Sequence, residues 1–94
     1  MKDAILFFEK FDITFVEDGE TIYITVNPEI VPASGDGLMP SGNYFVYCVH
    51  PSYGSCFFIV EQDADCQWIC QYRPSFIFDE LIEWIGYQIE SRNR

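Results

Sequence analysis

The clearest pattern in the chain is an alternation of apolar and polar residues on both sides of Asp18-Gly19. FDITFVE precedes this dipeptide and ETIYITVN follows it. Asp-Gly between two alternating segments marks a two-residue hairpin turn, whose twist matches that of the flanking strands. Pairing Glu17 with Glu20 sets Phe15 opposite Ile22, Ile13 opposite Ile24 and Phe11 opposite Val26. These six large apolar side chains then share one face. A slip of one residue would turn one strand's set to solvent, so the pattern fixes the register.

The rest of the chain reads less sharply. Residues 3–10 (DAILFFEK) predict a short helix, with Asp3 near its start and Lys10 at its end, each suited to the helix dipole. Residues 28–43, with Pro28, Pro32 and Pro40 among several glycines, predict a long irregular loop. NYFVYCVH, SCFFIVE and CQWICQYR predict a three-stranded antiparallel meander joined by short turns. In the C-terminal segment, Phe78, Leu81, Ile82, Ile85 and Ile89 recur at helical spacing after Ser75, a candidate cap. Asp79 and Glu80 fit the start of that helix, Arg92 and Arg94 its end. The expected fold is α+β within one domain over residues 1–94. It comprises a short N-terminal helix, an antiparallel hairpin, a three-stranded antiparallel meander and a C-terminal amphipathic helix.

The meander segments are apolar at consecutive positions, which predicts strands covered on both faces. If His50 pairs with Ser55, then Tyr47, Phe58 and Ile69 form one row of an apolar stripe with Phe45, Val49 and Val60. The stripe is core if a helix covers each face. If both helices cover the same face, it is a docking or homodimer surface. The same register keeps Cys48 and Cys70 about 9.5 Å apart, beyond the ~7 Å that a disulfide tolerates. It also turns Cys56 to the opposite face. The four cysteines, Cys48, Cys56, Cys66 and Cys70, lack a CxxC pair. Free thiols are therefore expected, and with them a reducing, cytoplasmic location. The N-terminus lacks the long apolar region of a signal peptide, and no apolar run approaches the ~20 residues of a membrane span.

Charge narrows the function classes. The chain carries a net charge of -10, and between Phe11 and Tyr72 it has no lysine or arginine. Direct nucleic-acid binding needs several cationic contacts with phosphate, so it is not expected, and anionic lipid would be repelled. Catalytic signatures are also missing. Cys48 and His50 lie two residues apart, but a nucleophilic cysteine needs an electropositive setting and this region has no cation. Neither a calcium loop, a phosphate-binding lysine loop nor a GxSxG elbow is present. No enzyme activity, metal or cofactor is expected.

The expectation is therefore a non-enzymatic protein-interaction module that engages a basic protein surface. The residues expected to carry it are the carboxylates at two hairpin turns, Glu17, Asp18 and Glu20 with Glu61, Asp63 and Asp65, together with Asp79, Glu80 and Glu83 on the final helix. Tyr23, Tyr53 and Tyr87 would add contact area. In profile, though not in sequence motif, such a chain resembles phage-encoded inhibitors, including anti-CRISPR and anti-restriction proteins that mimic nucleic-acid charge. Acidic immunity proteins share the profile. The alternative is a structural or regulatory subunit that docks or dimerises through the apolar sheet face.

Overall fold

In the computed structural model, which describes residues 9–35 and 37–92, the Asp18-Gly19 turn and its alternating flanks form β1 (Phe11–Glu17) and β2 (Glu20–Pro32). The pairing is the one read from the sequence, from Glu17↔Glu20 to Phe11↔Val26. Asp18 and Gly19 both take left-handed backbone angles, φ 51° and 78°, as this turn demands. The helix expected over 3–10 lies outside the described residues except for Glu9 and Lys10, which are not helical.

The remaining strands are β3 (Leu38–His50), β4 (Gly54–Gln62) and β5 (Trp68–Ile69). All five pair antiparallel in the order β1-β2-β3-β4-β5. A single helix among the described residues, α1 (Asp79–Arg92), follows the sheet. The protein is thus a small α+β fold with one antiparallel five-stranded sheet and a C-terminal helix.

Three features differ from the sequence reading. First, the expected irregular segment 28–43 is largely a two-stranded arm, with Ile30, Val31 and Pro32 opposite Pro40, Met39 and Leu38. Prolines suit it because β1 ends its pairing at Val26 and β4 at Tyr44, so both arm strands have an open edge where a missing N–H costs little. The pairing shifts register between Pro28 and Ile30. Second, β5 has two residues rather than a full strand, and α1 begins at Asp79 rather than next to Ser75.

Third, β4 is displaced by one residue against β3. His50 pairs with Gly54 rather than Ser55, which sets Cys48 opposite Cys56, Val46 opposite Phe58 and Tyr44 opposite Val60. Gly54, at φ 87°, enters the pairing instead of closing a four-residue loop. Only glycine takes that backbone conformation without strain. The displacement exchanges the two faces of β4. Phe58 and Val60 enter the core, while Phe57 and Ile59 turn outward. The expected trio Tyr47, Phe58 and Ile69 therefore does not form one surface.

The core lies between one face of the sheet and α1. Ile22, Ile24, Val26, Val46, Cys48, Phe58 and Val60 meet Leu81, Ile82, Ile85 and Ile89, all essentially inaccessible. Each such aliphatic side chain contributes about 1.5–3 kcal/mol by leaving water. Phe78 packs on Phe15 with ring centroids 5.8 Å apart, and Arg92 lies over the Phe11 ring at 4.1 Å. The helix therefore starts at the end of the sheet that holds the β1–β2 turn and runs back along β1. Its dipole is matched by Asp79 and Glu80 in the first turn and Arg92 in the last.

Candidate protein-interaction surface

Within the sheet, strand alternation sends every second residue away from α1. On β3 and β4 the outward positions are Phe45, Tyr47, Val49, Phe57 and Ile59, and Tyr23 joins them from β2. No described element covers this face. Phe57 is 74% exposed, Tyr23 59% and Ile59 45%. Tyr47 and Phe57 sit opposite each other with ring centroids 4.7 Å apart. Beyond β4, Tyr72 is 87% exposed and closes a groove of about 540 Å³ over Phe45, Phe57, Ile59, Glu61 and Gln71. An apolar area of this kind, continuous across two strands, marks an interaction site more often than a bare surface.

Carboxylates border this face, and among the described residues Asp12, Glu29 and Glu61 form no ion pair. In one cross-strand row, Asp12 lies on β1 beside Thr25, whose hydroxyl donates to Asp12 Oδ1 at 2.7 Å; Thr25 faces Tyr47, and Tyr47 faces Phe57. At the end nearest the arm, Glu61 Oε2 accepts from Gln71 Nε2 at 3.2 Å. There Glu29 Oε1 accepts from Ser41 Oγ at 2.6 Å and from Asn43 Nδ2 at 3.3 Å. None of the five strands contains a lysine or arginine.

The nine carboxylates expected to bind a partner fall into two groups. Glu17, Asp18 and Glu20 share the β1–β2 turn end of the sheet with Asp79, Glu80 and Glu83 of α1. Glu61, Asp63 and Asp65 lie at the other end, separated from Glu20 by about 30 Å of strand. They do not converge on a single patch. Several have structural partners of their own. The Ser52 hydroxyl donates to Glu20, and Arg73 pairs with Asp79. Asp63 organises the turn into β5: its Oδ1 accepts from the backbone N–H groups of Asp65 and Gln67, both at 2.9 Å. Its own N–H donates to the Gln67 carbonyl at 2.9 Å. Asp63→Ala should lower stability by about 1–2 kcal/mol, because two N–H groups lose a charged acceptor. Asp65→Ala should stay within about 0.5 kcal/mol. Urea denaturation of the two variants decides this; equal midpoints would show that the Asp63 turn contributes nothing.

Cys48 and His50 both point into the core. Burial, reinforced by the facing Cys56, pushes the Cys48 thiol up to about 12, so it stays protonated at neutral pH. Burial also raises Cys56 and Cys70. His50 is buried, its Nδ1 accepts from the Ser52 N–H at 3.0 Å, and its ring packs on Tyr53 and Phe76. Cys48 and Cys56, expected on opposite faces, are direct cross-strand neighbours, each a thiol. Among the described residues no group of His, Cys, Asp or Glu side chains is arranged to hold a metal ion. No helix among them is long and apolar enough to cross a membrane.

Phe57, Ile59 and Tyr72 are the surface residues that sequence reasoning missed. Phe57 and Ile59 lie in SCFFIV, which is apolar at every position after Ser55 and carries no alternation to say which side chains face out, and Tyr72 lies outside any strand, where no alternation assigns a face. Tyr23 was legible: it interrupts the polar side of an otherwise alternating hairpin. Comparison of the chain with protein-family models, with curated proteins and with solved structures finds no match.

Proposed function

We propose that this protein is a non-enzymatic interaction module that docks a basic protein through the outer face of its sheet. The observation that carries the reading is the uncovered apolar face of β3 and β4 within a border of Asp12, Glu29 and Glu61 and without a cation on any strand. Apolar area supplies affinity, centred on Phe57 and Phe45, since buried aromatics dominate interface energies. The border supplies steering: acidic groups around an apolar centre raise the association rate of a partner with lysines and arginines around a complementary patch. A second copy fits less well, because a two-fold interface would set like charges around its own rim. A role as inhibitor of a nucleic-acid-binding protein is one form of this function, with the acidic groups at both sheet ends competing for the partner's basic surface. The cytoplasm is the compartment consistent with four cysteines held as thiols.

The test is affinity capture with the intact chain at 0.1 M salt, alongside two variants: Phe45→Ser/Phe57→Ser, and Asp12→Lys/Glu61→Lys. A basic protein retained by the parent should bind the aromatic variant at least about 10-fold more weakly, as expected for centrally placed anchors. With the charge variant it should associate more slowly and with a shallower salt dependence. Retention of the same proteins by all three forms would rule the outer face out as the site.

A further inference from the structure

We infer that the free edge of β4 takes up an extended segment of the basic partner as an added strand beside Ser55–Phe57. This rests on the docking role proposed above and specifies how the partner binds. β5 opposes only Glu61 and Gln62 of β4. Among the described residues no backbone–backbone hydrogen bond joins the following segment, 70–76, to Gly54–Val60. Alternate backbone groups of an antiparallel strand point to opposite neighbours. The Asp63 N–H bonds the Gln67 carbonyl and Glu61 stands opposite Ile69, so by the same alternation Ser55, Phe57 and Ile59 direct their groups away from β3; at Ile59 the Cys70 thiol already lies against that backbone. Among the described residues no backbone group bonds to Phe57 on that side, so its N–H and carbonyl are left to pair with an added strand.

Sheet edges are ordinarily guarded by charge, proline or a bulge. β1, the opposite edge, carries Asp12 and Glu17. Gly54–Val60 has no charge and no proline, and it pairs with β3 without a register shift. Beside it runs the groove over Phe57, Ile59 and Tyr72, which ends at Glu61. A strand laid along the edge would gain main-chain hydrogen bonds from β4 and direct alternate side chains into this groove over the exposed aromatics, the pattern of strand-addition recognition. Among the described residues Glu61 is the one charged group lining the groove, so the added segment is one with large apolar residues at alternate positions and a lysine or arginine at the Glu61 end. A second copy is the disfavoured occupant, because it would bring a further net charge of -10 against the first.

The experiment selects binders from a displayed library of random ten-residue peptides against the full chain, then measures amide exchange by NMR with and without the best synthetic peptide. Peptides with alternating apolar residues and a Lys or Arg are expected, and the bound peptide should slow exchange of the Phe57 amide at least 10-fold. Ser55→Pro removes an outward N–H and should weaken binding about 5–10-fold, the effect of one hydrogen bond, where Ser55→Ala does not. The exchange measurement needs no variant, so the test stands even if the proline variant misfolds. If peptides bind with shifts over Phe45, Tyr47 and Val49 while Phe57 exchange is unchanged, strand addition is wrong and the docking face survives. If the peptide-free chain sediments as a dimer with a protected Phe57 amide, the edge belongs to a second copy and the inference fails. If no selected peptide is weakened by Phe45→Ser/Phe57→Ser, the docking role falls with it.

Discussion

Replacing Gly86 by alanine should destabilise the protein by about 2–3 kcal/mol, although the same change in an ordinary helix interior stabilises by about 1 kcal/mol. Gly86 lies inside α1 on its buried side. A methyl group there would collide with Cγ and Cδ1 of the Trp68 indole and come within 2.6 Å of Cδ2. The ring has little room to move. Its Nε1 donates to Glu90 Oε2 at 2.7 Å, its edge meets the Tyr44 ring at 5.9 Å, and its backbone is held opposite Gln62. The helix and β5 would therefore have to separate. For a domain of this size the loss corresponds to roughly 10–20 °C in melting temperature. A double-mutant cycle isolates the cause: in a Trp68→Ala background the Gly86→Ala change should become neutral or stabilising. If Gly86→Ala stabilises the parent chain, the close approach of α1 to Trp68 is wrong.

Gly86 also shows where the sequence informed and where it did not. Helical periodicity named Leu81, Ile82, Ile85 and Ile89, and these are the residues α1 buries. It could not name the glycine, whose use lies in what it lacks. The β1–β2 hairpin was fully legible because two independent signals agreed, a turn dipeptide and a strict alternation. The β3–β4 pair had neither. Its turn, Pro51-Ser52-Tyr53-Gly54, closes with Gly54 either inside or outside the ladder, and Phe57-Phe58-Ile59-Val60 is equally apolar in both registers. Which side chains lie on the outer face of β4 depended on that one-residue choice. The acidic character of the chain was plain, but the distribution of the carboxylates was not. Separation of Glu17, Asp18 and Glu20 from Glu61, Asp63 and Asp65 follows from strand direction: the β1–β2 and β4–β5 turns lie at opposite ends of the sheet.

Stability should fall steeply as pH rises through the window from 9 to 12, and Cys48 should account for much of the fall. Burial lifts its thiol from the ordinary 9.0 to about 12. Below pH 9 the thiol is protonated whether the chain is folded or unfolded, so it contributes no pH dependence. Between 9 and 12 the unfolded chain releases this proton and the folded chain keeps it. The folded state then binds more protons, and stability declines with pH. At 1.36 kcal/mol for each pH unit, the loss is about 3 kcal/mol by pH 11 and approaches about 4 kcal/mol at pH 12. That is a large part of the 5–15 kcal/mol that holds a typical domain together. Cys56 and Cys70, also raised by burial, act in the same direction. Cys48→Ala should be the less stable protein at pH 8, because its removal leaves a small void among Ile24, Val46 and α1, yet it should lose less between pH 9 and 11. Urea midpoints of both proteins under reducing conditions at pH 8, 9, 10 and 11 give the comparison, in which the titration of other groups common to both cancels. Converging curves place a protonated thiol in the core; parallel curves would mean that Cys48 reaches solvent and that β3 does not lie under the helix as described.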